Sequence, residues 1–184
     1  MISPSTSLRE LAFIVGTALN RANITAVLSG GGAATVYAPE ANQSHDLDFI
    51  LEFWSSLGSS NRCILDLGFS ERNGLYRHPN TKFTLEFPPG PLNVGEEVIR
   101  AWSTLRENEM VLNILSPTDC VRDRLLPFLS GTTNVDYSAL EQALAVAAAH
   151  EIDLKRIHQW AISEGIATRY PIFERRYRAL PADA

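Results

Sequence analysis

The sequence has little cysteine, no long apolar run and no excess of basic charge. Of its 184 residues two are cysteines, Cys63 and Cys120, and neither belongs to a C-x-x-C pair. A disulfide scaffold and a cysteine-based zinc cluster are therefore excluded. No apolar stretch approaches the roughly 20 residues needed to cross a bilayer. The longest weakly polar run, Ala143 to Ala149, is alanine-rich and reads as helix. The first residues lack the basic-then-apolar order of a secretory signal, so no membrane association and a reducing, cytoplasmic setting are the expectation. With 16 Lys and Arg against 21 Asp and Glu, the net charge is −5. That argues against a general nucleic-acid coat protein, whose affinity comes from basic surface. What is present suffices for a globular fold. The 45% hydrophobic and 20% charged content is ordinary and excludes disorder over most of the length. A chain of this size buries about 70% of its unfolded surface without staples.

Periodicity divides the chain. Ser7-x-x-Glu10 reads as a capping box, followed by Leu8, Leu11, Ala12, Val15, Ala18 and Leu19 at helical spacing, so a helix is expected from about Ser7 to Arg21. Thr25 to Leu28 is β-prone and stops at Ser29-Gly30-Gly31-Gly32, with a short helix expected from Ala33 to Tyr37 before Pro39. Asp46 to Leu51 reads as a strand with Leu47, Phe49 and Leu51 on one face and Asp46 and Asp48 on the other. A helix is expected from Ser56 to Leu67, closed by Gly68, then strands at Leu75-Tyr76 and Lys82–Phe87. The last of these turns Phe83, Leu85 and Phe87 one way and Thr84 and Glu86 the other. Val98–Leu105 and Met110–Leu115 read as a hairpin pair. From Ser116 the pattern becomes helical, with helices to Leu129, from Asp136 to His150, from Asp153 to Ser163 and from Tyr170 to Leu180, and a polar linker at Ser130–Asn134. The expectation is mixed α and β over residues 1–115 and a helical subdomain over 116–184.

One constellation carries chemistry. A strand ends in a glycine run that opens a short helix, Asp46-x-Asp48 follows on the next strand, and Glu86 lies on a later one. Acids at i and i+2 of a strand share a face. Magnesium takes one or two protein carboxylates together with substrate phosphates, and a third acid on a neighbouring strand can complete a two-metal clamp. Glycines let a triphosphate approach the backbone, and a helix N-terminus offers it N–H groups and a positive dipole end. Each piece alone has a plain reading: a solvated strand end, a tight turn, a surface glutamate. Their order on these elements favours phosphoryl transfer. No Gly-Lys-Ser/Thr follows the glycines, so this is not a P-loop.

Val27-Leu28-Ser29-Gly30-Gly31-Gly32-Ala33, Tyr37 and Ser44-His45-Asp46-Leu47-Asp48-Phe49 resemble the minimal nucleotidyltransferases, with bacterial AbiEii-like proteins, some of them toxin–antitoxin components, as the nearest likeness. The resemblance covers residues 25–130 best. It implies an α+β fold, a nucleotidyltransferase-like mixed β-sheet flanked by helices and followed by a C-terminal helical bundle. It implies transfer of a nucleoside monophosphate from an NTP to a hydroxyl of an RNA or protein acceptor, with release of pyrophosphate. Asp46, Asp48 and Glu86 would then be the catalytic and metal-holding acids, for Mg2+ or Mn2+. Ser29, Gly30, Gly31, Ser44 and Arg124 would contact the nucleotide. Two departures stand out. The loop Glu40-Ala41-Asn42-Gln43 lacks the basic residue common before the hydroxyl, and Arg124 or Arg122 replaces the lysine expected in the following helix. An inactive nucleotide-binding or protein-interaction module on the same fold is the alternative.

The remaining residues have plainer expectations. His45, between Ser44 and Asp46, is expected to point away from the acid pair; His78, His150 and His158 lack metal-ligand spacing, and Cys63 is expected to be buried on a helix. Cys120, near a helix start, is a thiol that such a position could acidify. Arg169, Arg175, Arg176 and Arg178 interleave with Tyr170, Phe173 and Tyr177. That pattern suits an RNA patch, but a solvated amphipathic helix is favoured. Trp54, Trp102 and Trp160 read as buried or partly buried anchors.

Overall fold

The computed structural model describes residues 2–41, 44–53, 57–131 and 135–181. The expectations for Trp54, for a helix start at Ser56 and for the linker residues 132–134 lie outside them. The first helix, α1 (Leu8–Arg21), begins with the capping box: Ser7 accepts the Glu10 N–H, and Glu10 accepts the Ser7 N–H at 2.7 Å. These bonds hold the Glu10 carboxyl below its usual range. Leu8, Leu11, Ala12, Val15 and Leu19 are buried on one face, as the spacing predicts.

The strands β1 (Ala26–Ser29) and β2 (Asp46–Leu51) form the antiparallel centre of a seven-stranded sheet. On one side of β2 lie β5 (Thr84–Glu86), parallel to it, then β4 (Leu75–Arg77) and β3 (Ser70–Arg72). On the other side of β1 lie β9 (Met110–Ile114), parallel, and β8 (Ser103–Glu107) at the edge. The sheet is mixed and flanked by helices. Between β1 and β2 runs α2 (Gly30–Tyr37), and between β2 and β3 runs α3 (Leu57–Asp66). The helices α4 (Pro117–Ser130), α5 (Tyr137–Ala149), α6 (Leu154–Ser163) and α7 (Tyr170–Arg178) complete the chain, with a short 3-10 turn at Ala167–Arg169. Ser116, Asp136 and Asp153 cap α4, α5 and α6 by accepting N–H groups from the first turns. Leu47, Phe49 and Leu85 share one continuous core with Leu125, Phe128, Leu140 and Phe173. Among the described residues no helix is long and apolar enough to cross a membrane.

The structure moves several boundaries. The glycines are the first turn of α2, not a turn ahead of it. The Lys82–Phe87 strand keeps only Thr84–Glu86 in the ladder, although Phe83, Leu85 and Phe87 are buried as expected. The hairpin partner of β9 starts at Ser103 rather than Val98, and the last helix ends at Arg178. Val98 belongs instead to a second, two-stranded hairpin, β6 (Asn93–Val94) and β7 (Glu97–Val98), turning through Gly95 at φ +61°. That conformation suits glycine.

This hairpin is fastened to the helical half. Trp160 donates its indole N–H to the Val94 carbonyl at 3.2 Å, and Glu164 accepts the Glu96 N–H at 2.9 Å. Arg122, fully buried, pairs with Asp119 at 2.7 Å and with Glu97, and its guanidinium lies 5.1 Å from the Trp160 ring centroid. Arg156 reaches the same Asp119 at 2.8 Å. Breaking a buried pair strands the remaining charge. Arg122→Met is expected to lower stability by about 3 kcal/mol in urea unfolding. A loss under about 1 kcal/mol would mean that Arg156 alone satisfies Asp119.

The basic C-terminal stretch is largely engaged. Arg176 forks onto Glu141 at 2.7 and 2.9 Å, Arg178 pairs with Glu174, and Arg169 donates to the carbonyls of Leu129 and Gly131. Tyr170 and Phe173 are core residues. The stretch is the amphipathic helix favoured by its sequence.

Candidate functional site

Register builds the site. Ser29 of β1 lies opposite Asp48 of β2, and Asp48 lies opposite Glu86 of β5. These residues form a row across three neighbouring strands. Asp46 sits on the same face of β2, since Leu47, Phe49 and Leu51 are buried and the residues between them are partly open. Hydrophobic alternation thus commits one face to the core and leaves the acids on the other.

The acids crowd one another. Burial, then the Asp46 and Glu86 carboxylates, push the Asp48 carboxyl from its usual 3.8 up to about 6. Arg124 on α4 opposes that shift, and Asp123 adds to it. The Arg124 guanidinium is itself held by Asp123 at 2.8 Å, and its pKa is raised although burial opposes the charge. Four acids and one arginine therefore act on one another here.

The glycine turn closes on this row. Gly30 adopts φ +67°, and a Cβ there would stand 2.7 Å from Asp48 Oδ2. A Cβ on Gly31 would stand 2.9 Å from the Ser44 hydroxyl. The Ser29 side chain does not cap the first turn of α2; its hydroxyl bonds the Asp48 carbonyl at 3.3 Å instead. Ser44 donates its hydroxyl to Asp46 Oδ1 and its backbone N–H to Thr35 Oγ1 at 2.8 Å, and Thr35 donates to the Gly31 carbonyl at 3.0 Å. Thr35 thus ties the serine loop to the glycine turn.

Among the described residues no group of three or more His, Cys, Asp or Glu side chains stands ready to hold a metal ion. The donor set nevertheless fits a hard cation. It is all oxygen, the Asp46 and Glu86 carboxylates crowd Asp48 with only Arg124 opposing them, and bare glycine backbone lies beside it for phosphate oxygens to complete the shell. Asp46, Asp48 and Glu86 are the residues that would hold it.

All eight residues singled out from the sequence lie on or beside this row; Arg122 does not, being sealed against Trp160 and Asp119. Sequence reasoning missed Thr35, Asp123 and Gln142, whose amide nitrogen lies 3.5 Å from a Cβ built on Gly31. Thr35 had a readable signal: a helical threonine returns its hydroxyl to the carbonyl four residues back, here Gly31. The helix start does not acidify Cys120. It is fully buried, and burial pushes its thiol up despite its place in the first turn. Cys63 is half-buried on α3 and its thiol is also raised.

No protein-family model matches the chain, and no curated protein is significantly similar to it in sequence. Solved structures are similar in fold. An antigenic nucleotidyltransferase-like protein from Paracoccidioides brasiliensis aligns over 97% of this chain and 95% of its own, at 14% identity and a TM-score of 0.64. The solution structure of the antibiotic-resistance factor ANT(2'')-Ia aligns over 90% and 94% at 14% identity and a TM-score of 0.51. Its crystal structure with adenylyl-2''-tobramycin aligns over 92% and 98% at 16% identity and the same TM-score. The crowded carboxylate row and the glycine turn therefore stand on a nucleotidyltransferase-like fold.

Proposed function

We propose that the chain transfers a nucleoside monophosphate from an NTP to a hydroxyl acceptor. The observation that carries this reading is the row of neighbouring carboxylates, with Asp48 pushed up by burial and by Asp46 and Glu86, set against bare glycine backbone. The acceptor oxygen would bond to the α-phosphorus, the bond to the β-phosphate oxygen would break, and pyrophosphate would leave with that electron pair. Gly30, Gly31 and the start of α2 would take the triphosphate. Ser44 would hold Asp46 in place through its hydroxyl. Glu86, exposed at the end of the row, would accept the proton of the acceptor hydroxyl. Asp46 and Asp48 would hold Mg2+ or Mn2+, which when bound would supply neutralisation of the phosphate charge. Catalysis of this kind is mainly positioning and charge stabilisation. An RNA or protein acceptor follows from the sequence resemblance, whereas the adduct named for the ANT(2'')-Ia complex is a small molecule.

A second reading has one observation in its favour. Asp123 occupies the Arg124 guanidinium, the cation nearest the row, which suits a module that binds nucleotide without turnover. Two measurements separate the readings. Magnesium with NTP should raise the melting temperature of the native protein and not of Asp46→Ala/Asp48→Ala. α-Labelled NTPs, tried singly with RNA, protein and small-molecule acceptors, should give label transfer that the same double substitution abolishes. A shift without transfer across all four NTPs would favour the binding module.

A further inference from the structure

The face of β2 that carries Asp46 and Asp48 continues beyond them. Ile50 and Glu52 follow at the same two-residue spacing, and Val27 of β1 lies opposite Ile50. Over this stretch of sheet runs the segment from Gly90 to Trp102, which contains the β6–β7 hairpin. Its first residue sits close above the floor, since a Cβ on Gly90 would stand 3.5 Å from Ile50 Cγ2. Between sheet and segment is a groove of about 330 Å3. Val27 and Ile50 form its floor, Leu92, Ile99 and Trp102 line its wall, and Glu52 and Arg100 stand at its mouth. The wall is firmly set, because the hairpin is fastened to α4 and α6 by Arg122, Trp160 and Glu164.

Three features define what such a groove would hold. It starts at Ile50, two residues from Asp48 and so about 7 Å along the strand. Gly30, which crowds Asp48 Oδ2, lies beyond the opposite end of that line, at the close of β1. In-line displacement needs the attacking and leaving oxygens on opposite sides of the phosphorus. If the glycine end takes the leaving diphosphate, the groove end receives the attacker. The volume is that of a small-molecule pocket, at the low end of a range of roughly 300–1,000 Å3. Its floor and wall offer hydrocarbon and indole, and its mouth one carboxylate and one guanidinium of opposite sign; it suits a flat, neutral, largely apolar body better than a polycation.

We infer that this groove is the acceptor site, and that the acceptor is a small alcohol or phenol built on an aromatic or apolar body. The inference rests on the carboxylate row being a nucleotidyl-transfer site. It departs from the RNA or protein acceptor that the sequence resemblance implies.

The test uses the full chain with fluorine-labelled tryptophan, the Trp102 signal being assigned by Trp102→Phe. Tryptophol and tyrosol are titrated with magnesium and a non-hydrolysable ATP analogue present, and tobramycin serves as the polycationic control. Both aromatic alcohols should shift the Trp102 signal saturably while the analogue stays bound, and tobramycin should not. Ile50→Phe, which fills the floor, should weaken them at least tenfold. The thermal shift from magnesium and analogue is read on the same variant, so that a misfolded variant is recognised; Ile50→Val, which enlarges the groove, then takes its place and should also change their affinity. Three results overturn the inference: no Trp102 shift at millimolar probe with the analogue bound, displacement of the probes by the analogue, which would make the groove a base site, or displacement by bulk tRNA, which would make it an RNA site. If neither this analogue nor those of the other three NTPs, with magnesium, gives a thermal shift in the unaltered protein, the reading of the carboxylate row falls, and this inference with it.

Discussion

Asp48→Asn is expected to raise the stability of the ligand-free protein at pH 7 while abolishing nucleotidyl transfer. The sign follows from the carboxyl pKa, raised from 3.8 to about 6 by burial and by Asp46 and Glu86. The folded chain holds this proton more tightly than the unfolded chain. Relative to a neutral group the carboxyl therefore costs nothing below about pH 4, its cost grows as pH rises from about 4 to 6, and above that the ionised form carries the whole cost. A shift of this size corresponds to about 3 kcal/mol by linkage. Asp48 is partly open to water, so screening brings the expected gain to about 1–2 kcal/mol. For a chain of this length that is a rise of roughly 2–8 °C in melting temperature. Urea unfolding at pH 4, 5, 6, 7 and 8 should show the advantage of the variant growing with pH and vanishing near 4. Magnesium with nucleotide should reverse the ranking, because only the native carboxylate gains from the cation. If Asp48→Asn is destabilising at pH 7, the row is not strained by its own charge. Transfer should fall at least a thousandfold, since a charge placed for the transition state is lost with its metal contact.

Such a strained row could be read in advance only where local patterning governs it. Alternation alone put Asp46 and Asp48 on the open face of β2 and Leu47, Phe49 and Leu51 in the core. The capping box of α1 was equally readable, because its partners are three residues apart. Pairing of Asp48 with Glu86 was not, for it depends on β5 joining β2 in parallel across more than thirty intervening residues. The hairpin at Asn93–Val98 escaped because its strands are two residues long and too short for any period. Arg122 and Arg124 lie two positions apart on α4, and nothing local separates them. Helical geometry turns them to different sides, so that one is sealed against Trp160 and the other reaches the field of Asp48. Cys120 shows a related limit of local reading. A helix start favours a thiolate only where the charge stays hydrated, and this thiol has no solvent.

The three glycines of α2 separate folding from nucleotide binding, and alanine substitutions should sort them. Gly32→Ala places a Cβ 2.9 Å from the Asp46 carbonyl oxygen and 3.1 Å from Leu47 Cδ2. Backbone must give way there, and overpacking of this kind costs about 1–3 kcal/mol or more. Gly30→Ala meets two obstacles: a left-handed backbone, which costs an alanine about 1–2 kcal/mol, and Asp48 Oδ2 at 2.7 Å. Both variants should lose about 2–4 kcal/mol in urea unfolding. Gly31→Ala differs. Its backbone is helical, so alanine gains about 1 kcal/mol of propensity, and the obstacles are the Ser44 hydroxyl at 2.9 Å, which can rotate, and the Ser44 Cβ at 3.2 Å, from which the serine loop must withdraw slightly. Stability should change by less than about 1 kcal/mol, because the rotation gives up one partly buried hydrogen bond to Asp46. The loss should fall on the site. Ser44 no longer fixes Asp46, and a methyl group stands where a phosphate oxygen would approach the backbone. The magnesium–nucleotide thermal shift should disappear, and transfer should drop at least a hundredfold, in a variant that melts with the native protein. If Gly31→Ala keeps both the shift and the transfer, the triphosphate does not lie against this turn. The positions of leaving group and acceptor along β2 would then have to be exchanged.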